Sequence, residues 1–175
     1  MGPLTRAARW SDAGAIAEIY NEGIEDRLAT FETKPRTASD VTGWLDGGTP
    51  LVVAEEEAGA VVAWAAAAAY SARPAYAGVA DFSIYVARSA RGRGLGRATL
   101  HALVDECEAR GYWKLVGRIF PENAASLALC RALAFREVGV YRRHGSLDGE
   151  WRDCVIVELL LGEAREAAPG STGAA

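Results

Sequence analysis

Apolar positions recur along this chain with two different periods, and the switch from one to the other outlines its elements. Residues 4–9 read as a first strand, followed by Ser11 and Asp12, residue types that cap helix starts. Ile16, Ile19, Tyr20 and Ile24 then fall at helical spacing, which predicts an amphipathic helix to about Ile24. Residues 27–37 carry no period, contain Pro35 and read as a loop of the kind that contacts substrates. A short helix is expected over 38–45, stopped by Gly47 and Gly48. Residues 51–55 and 61–70 form two strands around a turn at Glu56-Glu57-Ala58-Gly59. The alanine run 65–69 would suit a helix on propensity alone, but the adjoining turn and the unbroken apolar stretch favour a strand. Over 79–86 the residues alternate, with Asp81, Ser83 and Tyr85 on one face and Phe82, Ile84 and Val86 on the other.

A helix follows over about 96–110, burying Leu100, Leu103, Val104 and Cys107 and ending at Gly111. Then come a strand at 114–120, a helix at 122–133, and a last pair of strands, 136–142 and 151–161, around a turn with Asp148-Gly149. Residues 163–175 are small, polar and proline-containing, and are expected to be a disordered tail after one domain of 1–162. The order of elements gives an α/β fold, a mixed sheet with helices on both faces.

Composition narrows the function classes. In 175 residues, half hydrophobic and 24% charged, there is room for one well-buried core. The net charge of −4 provides no general basic field, so nucleic acid is not the expected partner. Cys107, Cys130 and Cys154 are far apart and odd in number, which suits free thiols in a cytoplasmic, reducing compartment. Neither His101 nor His144 lies near a cysteine or carboxylate at metal-ligand spacing, so no metal is expected. The most apolar stretch, 61–69, is half the length a membrane span needs, so no membrane is expected either.

The chemistry concentrates in Arg91-Gly92-Arg93-Gly94-Leu95-Gly96-Arg97, between a strand and a helix. Glycines there let backbone amides approach a ligand, the helix start adds the positive end of its dipole, and the arginines add charge for phosphates. The spacing is not that of an ATP-type loop, because no lysine follows the last glycine. Nor is it a dinucleotide fingerprint, since Arg97 stands where the third glycine would be, and this sets aside a nucleotide-dependent oxidoreductase.

Arg91-x-x-Gly94-x-Gly96 after the strand resembles the coenzyme A signature of the GNAT superfamily of N-acetyltransferases. Asn123-Ala124-Ala125-Ser126 leading to Leu133-Ala134-Phe135 is similar to its second signature. Within that superfamily the chain resembles the phosphinothricin and arsinothricin acetyltransferases. The carrying residues are Ile19-Tyr20-Asn21, Ala29-Thr30-Phe31-Glu32-Thr33, Ala72-Arg73 with Tyr76, residues 81–86, and Asp148-Gly149-x-Trp151-x-Asp153. The resemblance implies a GNAT fold of about seven strands and transfer of acetyl from acetyl-CoA to the α-amine of a glutamate-like amino acid. It further implies antibiotic detoxification and a homodimer. Other acceptors remain open, methionine sulfoximine among them, as does a catalytically silent acetyl-CoA-binding module.

The same resemblance implies roles for particular residues. Backbone groups of Ile84, Tyr85 and Val86 would meet the coenzyme's pantetheine arm and acetyl carbonyl. The loop Arg91 to Arg97 (including Gly92, Arg93 and Leu95) and Asn123 would hold the rest of the coenzyme. Phe31, Arg73 and Tyr76 would form the acceptor pocket, with Arg73 gripping an anion through two hydrogen bonds. Asp81, where the family usually has glutamate, would be the general base, either directly or through a water. Cys130 stands where a general acid often does, yet a buried thiol usually acts as a small hydrophobe. His144, Trp151 and Asp153 lie in the closing hairpin, which covers an acceptor site or forms a dimer contact.

Overall fold

The computed structural model describes residues 3–56 and 59–165. The strands are β1 (Leu4–Ala7), β2 (Leu51–Glu55), β3 (Val61–Ala69), β4 (Val79–Val86), β5 (Lys114–Ile119), β6 (Arg136–Leu147) and β7 (Glu150–Leu160). The helices are α1 (Ala13–Glu25), α2 (Ala38–Asp46), α3 (Leu95–Ala109) and α4 (Ala124–Ala132). One sheet holds all seven strands in the order β1-β2-β3-β4-β5-β7-β6. Every neighbouring pair is antiparallel except β4 and β5, which run parallel. This is the mixed sheet that the order of elements predicts.

Strand alternation divides the core between the two faces. Leu51, Val53, Trp64, Ala66 and Tyr85 pack with Ile16, Ala17 and Ile19 of α1 and Val41 of α2. Their neighbours Val52, Ala65, Ala67, Ala80 and Phe82 pack with Leu100, Leu103, Val104 and Cys107 of α3 and Leu127 and Cys130 of α4. The alanine run is a strand because β3 pairs with β2 on one side and β4 on the other, which gives its backbone groups partners that override propensity.

Several boundaries differ from expectation, for tertiary reasons. Ser11 and Asp12 fall in a short 3-10 turn, and the Asp12 side chain does not cap α1. Its carboxylate instead accepts from Arg6, 2.7 Å away, and from the Arg9 backbone N–H. These bonds hold it below the ordinary aspartate range despite partial burial, with the Arg6 bond dominant. The final hairpin is longer than periodicity indicates. Most of β6 is exposed, so it shows little alternation, and its register shifts twice against β7. Asp148 (φ 51°) and Gly149 (φ 83°) close the hairpin with the left-handed pair its twist favours. Gly162–Arg165 form a 3-10 turn at the start of the expected tail, and residues 166–175 lie outside those described.

The core is closely packed where it borders the β4–β5 junction. A Cβ on Gly117 would stand 2.5 Å from the Phe82 ring and 3.0 Å from Val157. Phe82 and Val157 are both buried, so they have little room to give. Gly117→Ala should therefore cost about 1–3 kcal/mol through overpacking. Thermal unfolding should show a fall in midpoint of roughly 2–4 °C for each kcal/mol lost; an unchanged midpoint would contradict this packing.

Candidate active site

β4 and β5 pair only from Val79 to Asp81 against Lys114 to Val116. Beyond Asp81 the strands part, because β4 stays on β3 to Val86 while β5 stays on β7 to Ile119. The Ala87 N–H donates to Val62. Antiparallel alternation then assigns the Tyr85 backbone to β3 and turns the backbone groups of Ile84 and Val86 toward the opening. Of the three backbone positions expected to meet the coenzyme, Ile84 and Val86 are thus aimed outward. Tyr85 contributes its ring, stacked on Trp64 at 4.9 Å and tilted against Tyr20 at 4.8 Å.

A groove of about 510 Å³ runs from this opening along the starts of α3 and α4. Its lining includes Ile84, Tyr85, Val86, Arg91, Gly92, Gly94, Leu95, Gly96, Arg97 and Asn123, so the structure gathers these expected cofactor residues at one place. Arg93 is the exception, since its guanidinium pairs with Glu56 instead. Gly92 (φ 76°) and Gly94 (φ 79°) adopt the left-handed backbone that glycine takes without strain, and Gly94 sits at the N-cap of α3. Among the described residues the amides of 92–97 donate to no protein acceptor, as expected at a helix start open to an anion. Open amides at one end of the groove and an opening between strands at the other suit a long, anionic ligand such as coenzyme A.

Carboxylates hold the arginines in place. Asp26, just past α1, pairs with Arg88 and Arg91, each at 2.8 Å. Its partial burial opposes the charge, but the two arginines prevail and lower its pKa. Arg91 also donates to the Val86 carbonyl at 3.1 Å. Arg97 lines the groove and makes no ion pair among the described residues. Asn123 caps α4 by accepting from the Ser126 N–H, and it donates to the Leu28 carbonyl, which ties the helix start to the loop after α1.

A second, more polar cavity of about 350 Å³ lies across the opening and is lined by Thr30, Phe31, Glu32, Asp81, Ser83, Arg118, Phe120 and His144. A narrow space of about 60 Å³, bounded by Ser83, Ile84, Gly117 and Cys130, adjoins it. Both the groove and this cavity reach Ala29 and Tyr85. Phe31 packs edge-on to Phe120 at 4.9 Å, as an acceptor wall would. Asp81 Oδ2 accepts from Arg118 at 3.0 Å, and its buried Oδ1 has no partner. Burial raises the Asp81 pKa above the ordinary aspartate value, and attraction to Arg118 offsets part of that rise.

Other expected residues stand elsewhere. Arg73 precedes and Tyr76 ends a 3-10 turn before β4, and they line neither cavity; the guanidinium lies 5.8 Å over the Tyr76 ring. These two cavities therefore do not bring Arg73 and Tyr76 to Phe31, the third residue expected in the acceptor pocket. Cys130 is buried at the edge of the narrow space, and desolvation pushes its thiol up to about 12, which makes it a poor proton donor. Asp153 accepts the Arg143 N–H at 2.6 Å, which holds β6 where it bulges. Trp151 is exposed opposite Ser146. Arg118 is the residue that sequence reasoning missed. Its exposed position in an alternating strand carried no local signal, and only the β4–β5 register sets it beside Asp81.

Gly94→Ala should weaken coenzyme A binding by about 5- to 30-fold. The loop would relax from a left-handed conformation costing roughly 1–2 kcal/mol and would have to return to it on binding. Titration calorimetry with coenzyme A measures this, and wild-type affinity in the variant would rule it out.

Residues 16–135 match the family model described as Acetyltransferase (GNAT) family. The chain is 32% identical to phosphinothricin N-acetyltransferase of Alcaligenes faecalis, over 94% of this chain and 85% of that protein. It is 31% identical to L-methionine sulfoximine/L-methionine sulfone acetyltransferase of Pseudomonas aeruginosa, over 95% and 99%. A solved structure of a phosphinothricin acetyltransferase from Sinorhizobium meliloti, in complex with acetyl-CoA, superposes with a TM-score of 0.87. That structure is 34% identical, with 98% of this chain and 95% of that chain covered. Sheet order, parted strands, glycine loop and matched sequence agree: this chain is an acetyltransferase of the GNAT family.

Proposed function

We propose that this acetyltransferase moves acetyl from acetyl-CoA directly to the α-amine of a small glutamate-like amino acid. Acceptors of the phosphinothricin, arsinothricin or methionine sulfoximine type fit this reading. The observation that carries it is the meeting of the coenzyme groove with a polar cavity at the fork of β4 and β5, beside Asp81. Names borne by relatives support the amino-acid class, since they include both phosphinothricin and methionine sulfoximine acetyltransferases. Resistance to such compounds, a cytoplasmic setting and a homodimer belong to the same proposal. A partner subunit would give Arg73 and Tyr76 a surface to complete.

Acetyl-CoA supplies the activated acetyl group, and the chain's own residues do the rest. Amides at the start of α3 bind the pyrophosphate. Outward backbone groups of Ile84 and Val86 orient the arm, and an N–H there is suited to steadying negative charge on the acetyl oxygen. Asp81 takes a proton from the acceptor ammonium, directly or through one water, so that the amine can attack. Phe31 and Phe120 give the acceptor side an apolar wall. With the Cys130 thiol so weakly acidic, solvent returns the proton to the departing thiolate.

Incubating purified protein with acetyl-CoA and a panel of amino-acid analogues, read by mass spectrometry, tests the acceptor class. Acetylation of none of the three named types would end the specific assignment. Asp81→Asn should lower kcat by about 10²–10⁴-fold while leaving coenzyme A affinity intact. Asp81 works only as the carboxylate, and burial raises its pKa. The wild-type rate should therefore fall as pH drops through a value above the ordinary aspartate range, and Asp81→Asn should abolish that limb. Undiminished turnover in Asp81→Asn would remove Asp81 as the base.

A Cβ on Gly145 would lie 2.6 Å from the Phe31 ring. Gly145→Ala should thus push Phe31 into the acceptor cavity and raise the acceptor KM severalfold, with the acetyl-CoA KM unchanged. Steady-state kinetics varying each substrate in turn would show this, and a rise confined to acetyl-CoA would contradict it.

A further inference from the structure

The acceptor cavity sets opposite charges side by side, Asp81 on β4 and Arg118 on β5, with Oδ2 and a terminal guanidinium nitrogen 3.0 Å apart. Arg118 is 43% exposed at its side chain and bonds no other residue among those described. A guanidinium carries five N–H donors in a planar fork, so most of its capacity is uncommitted. The other acidic group lining this cavity, Glu32, is already paired with Arg36 at 2.9 Å. Arg73, which the sequence suggests for gripping an anion, lines neither this cavity nor the coenzyme groove.

An α-amino acid carries its amine and its carboxylate on one carbon, so a protein that binds both needs an acceptor and a cation next to each other. Asp81 and Arg118 have that spacing. We propose that Arg118 is the specificity-determining anchor for the acceptor's α-carboxylate, leaving Asp81 to form a two-pronged bond and so freeing Asp81 for the neighbouring amine. In the free protein the two charges satisfy one another, which keeps each from being stranded in a half-buried site. An amine without a neighbouring carboxylate offers Arg118 nothing and leaves the pair closed. A carboxylate replaces Asp81 as the partner of the cation, and Asp81, no longer held by Arg118, becomes the stronger base. A side-chain phosphinate or arsinate sits several bonds further from the amine and is not the group this pair selects.

This inference rests on the amino-acid reading above, and its test separates the two. L-phosphinothricin and L-methionine sulfoximine are each compared with their α-carboxamides as acceptors for wild type, Arg118→Met and Arg118→Lys. The readout is the ratio of kcat/KM for acid over amide. Arg118→Met should collapse the wild-type ratio by about 10- to 100-fold, the worth of a charge-assisted bond. Arg118→Lys should recover part of it, since it keeps the charge but loses the fork. Unaltered coenzyme A binding verifies the fold of each variant. If both acceptors lose equally, Arg118 acts only through Asp81 and the anchor is overturned. A wild type with no preference for the acid overturns it as well, while leaving the acetyltransferase reading in place. If no acceptor is turned over, the amino-acid reading fails, and the anchor is judged from calorimetric binding of L-methionine sulfoximine to the coenzyme A complex. Weaker binding in Arg118→Met then supports it, and no binding or equal binding overturns it.

Discussion

The short parallel pairing of β4 and β5 is the constraint on which the site depends. Three residues on each strand are joined, and then each strand follows its antiparallel neighbour, β3 on one side and β7 on the other. A sheet that divides in this way leaves backbone donors and acceptors facing a gap. Unpaired backbone groups are costly to bury and useful to a ligand that can satisfy them. The gap is held open by packing. Phe82 and Gly117 are the first residues past the last pair, and the Phe82 ring packs over Gly117 with Val157 beside it, so a side chain fills the point at which the strands part.

Charge is arranged around that gap so that the free protein has few stranded ions. Asp26 and Glu56 take up Arg91 and Arg93, and Asp81 takes up Arg118. Each arginine is half exposed, so these pairs contribute little to stability, and exposed pairs of this kind are typically worth under about 1 kcal/mol. Their value is positional, keeping guanidinium groups beside the groove and cavity where an anion can recruit them. Among the described residues the amides at the start of α3 have no such partner, which leaves this helix terminus open to an anion.

The polar cavity beside Asp81 is built from segments far apart in the chain. The loop after α1 supplies Thr30, Phe31 and Glu32, and the β6–β7 hairpin supplies His144 and Gly145. An ion pair between Arg27 and Asp148, at 2.8 Å, joins the loop to the hairpin turn. Gly145 leaves space for the Phe31 ring, so hairpin and loop fit each other through one missing side chain. The cavity wall is therefore sensitive to hairpin position.

The sequence by itself determined the order of elements, the two faces of β4, the glycine loop before α3 and Asn123 at the start of α4. These are short-range signals: periodicity, turn chemistry and helix starts are written within a few residues of where they act. Tertiary structure decided the rest. Asp12 serves Arg6 rather than capping α1, because Arg6 on β1 is folded against it. Arg73, which by motif belongs to an acceptor pocket, rests on Tyr76 outside both cavities. Arg118 carries no motif, yet the register of one parallel strand pair sets it against Asp81. Strand register is fixed by the packing of whole faces, so no local pattern could have announced that contact.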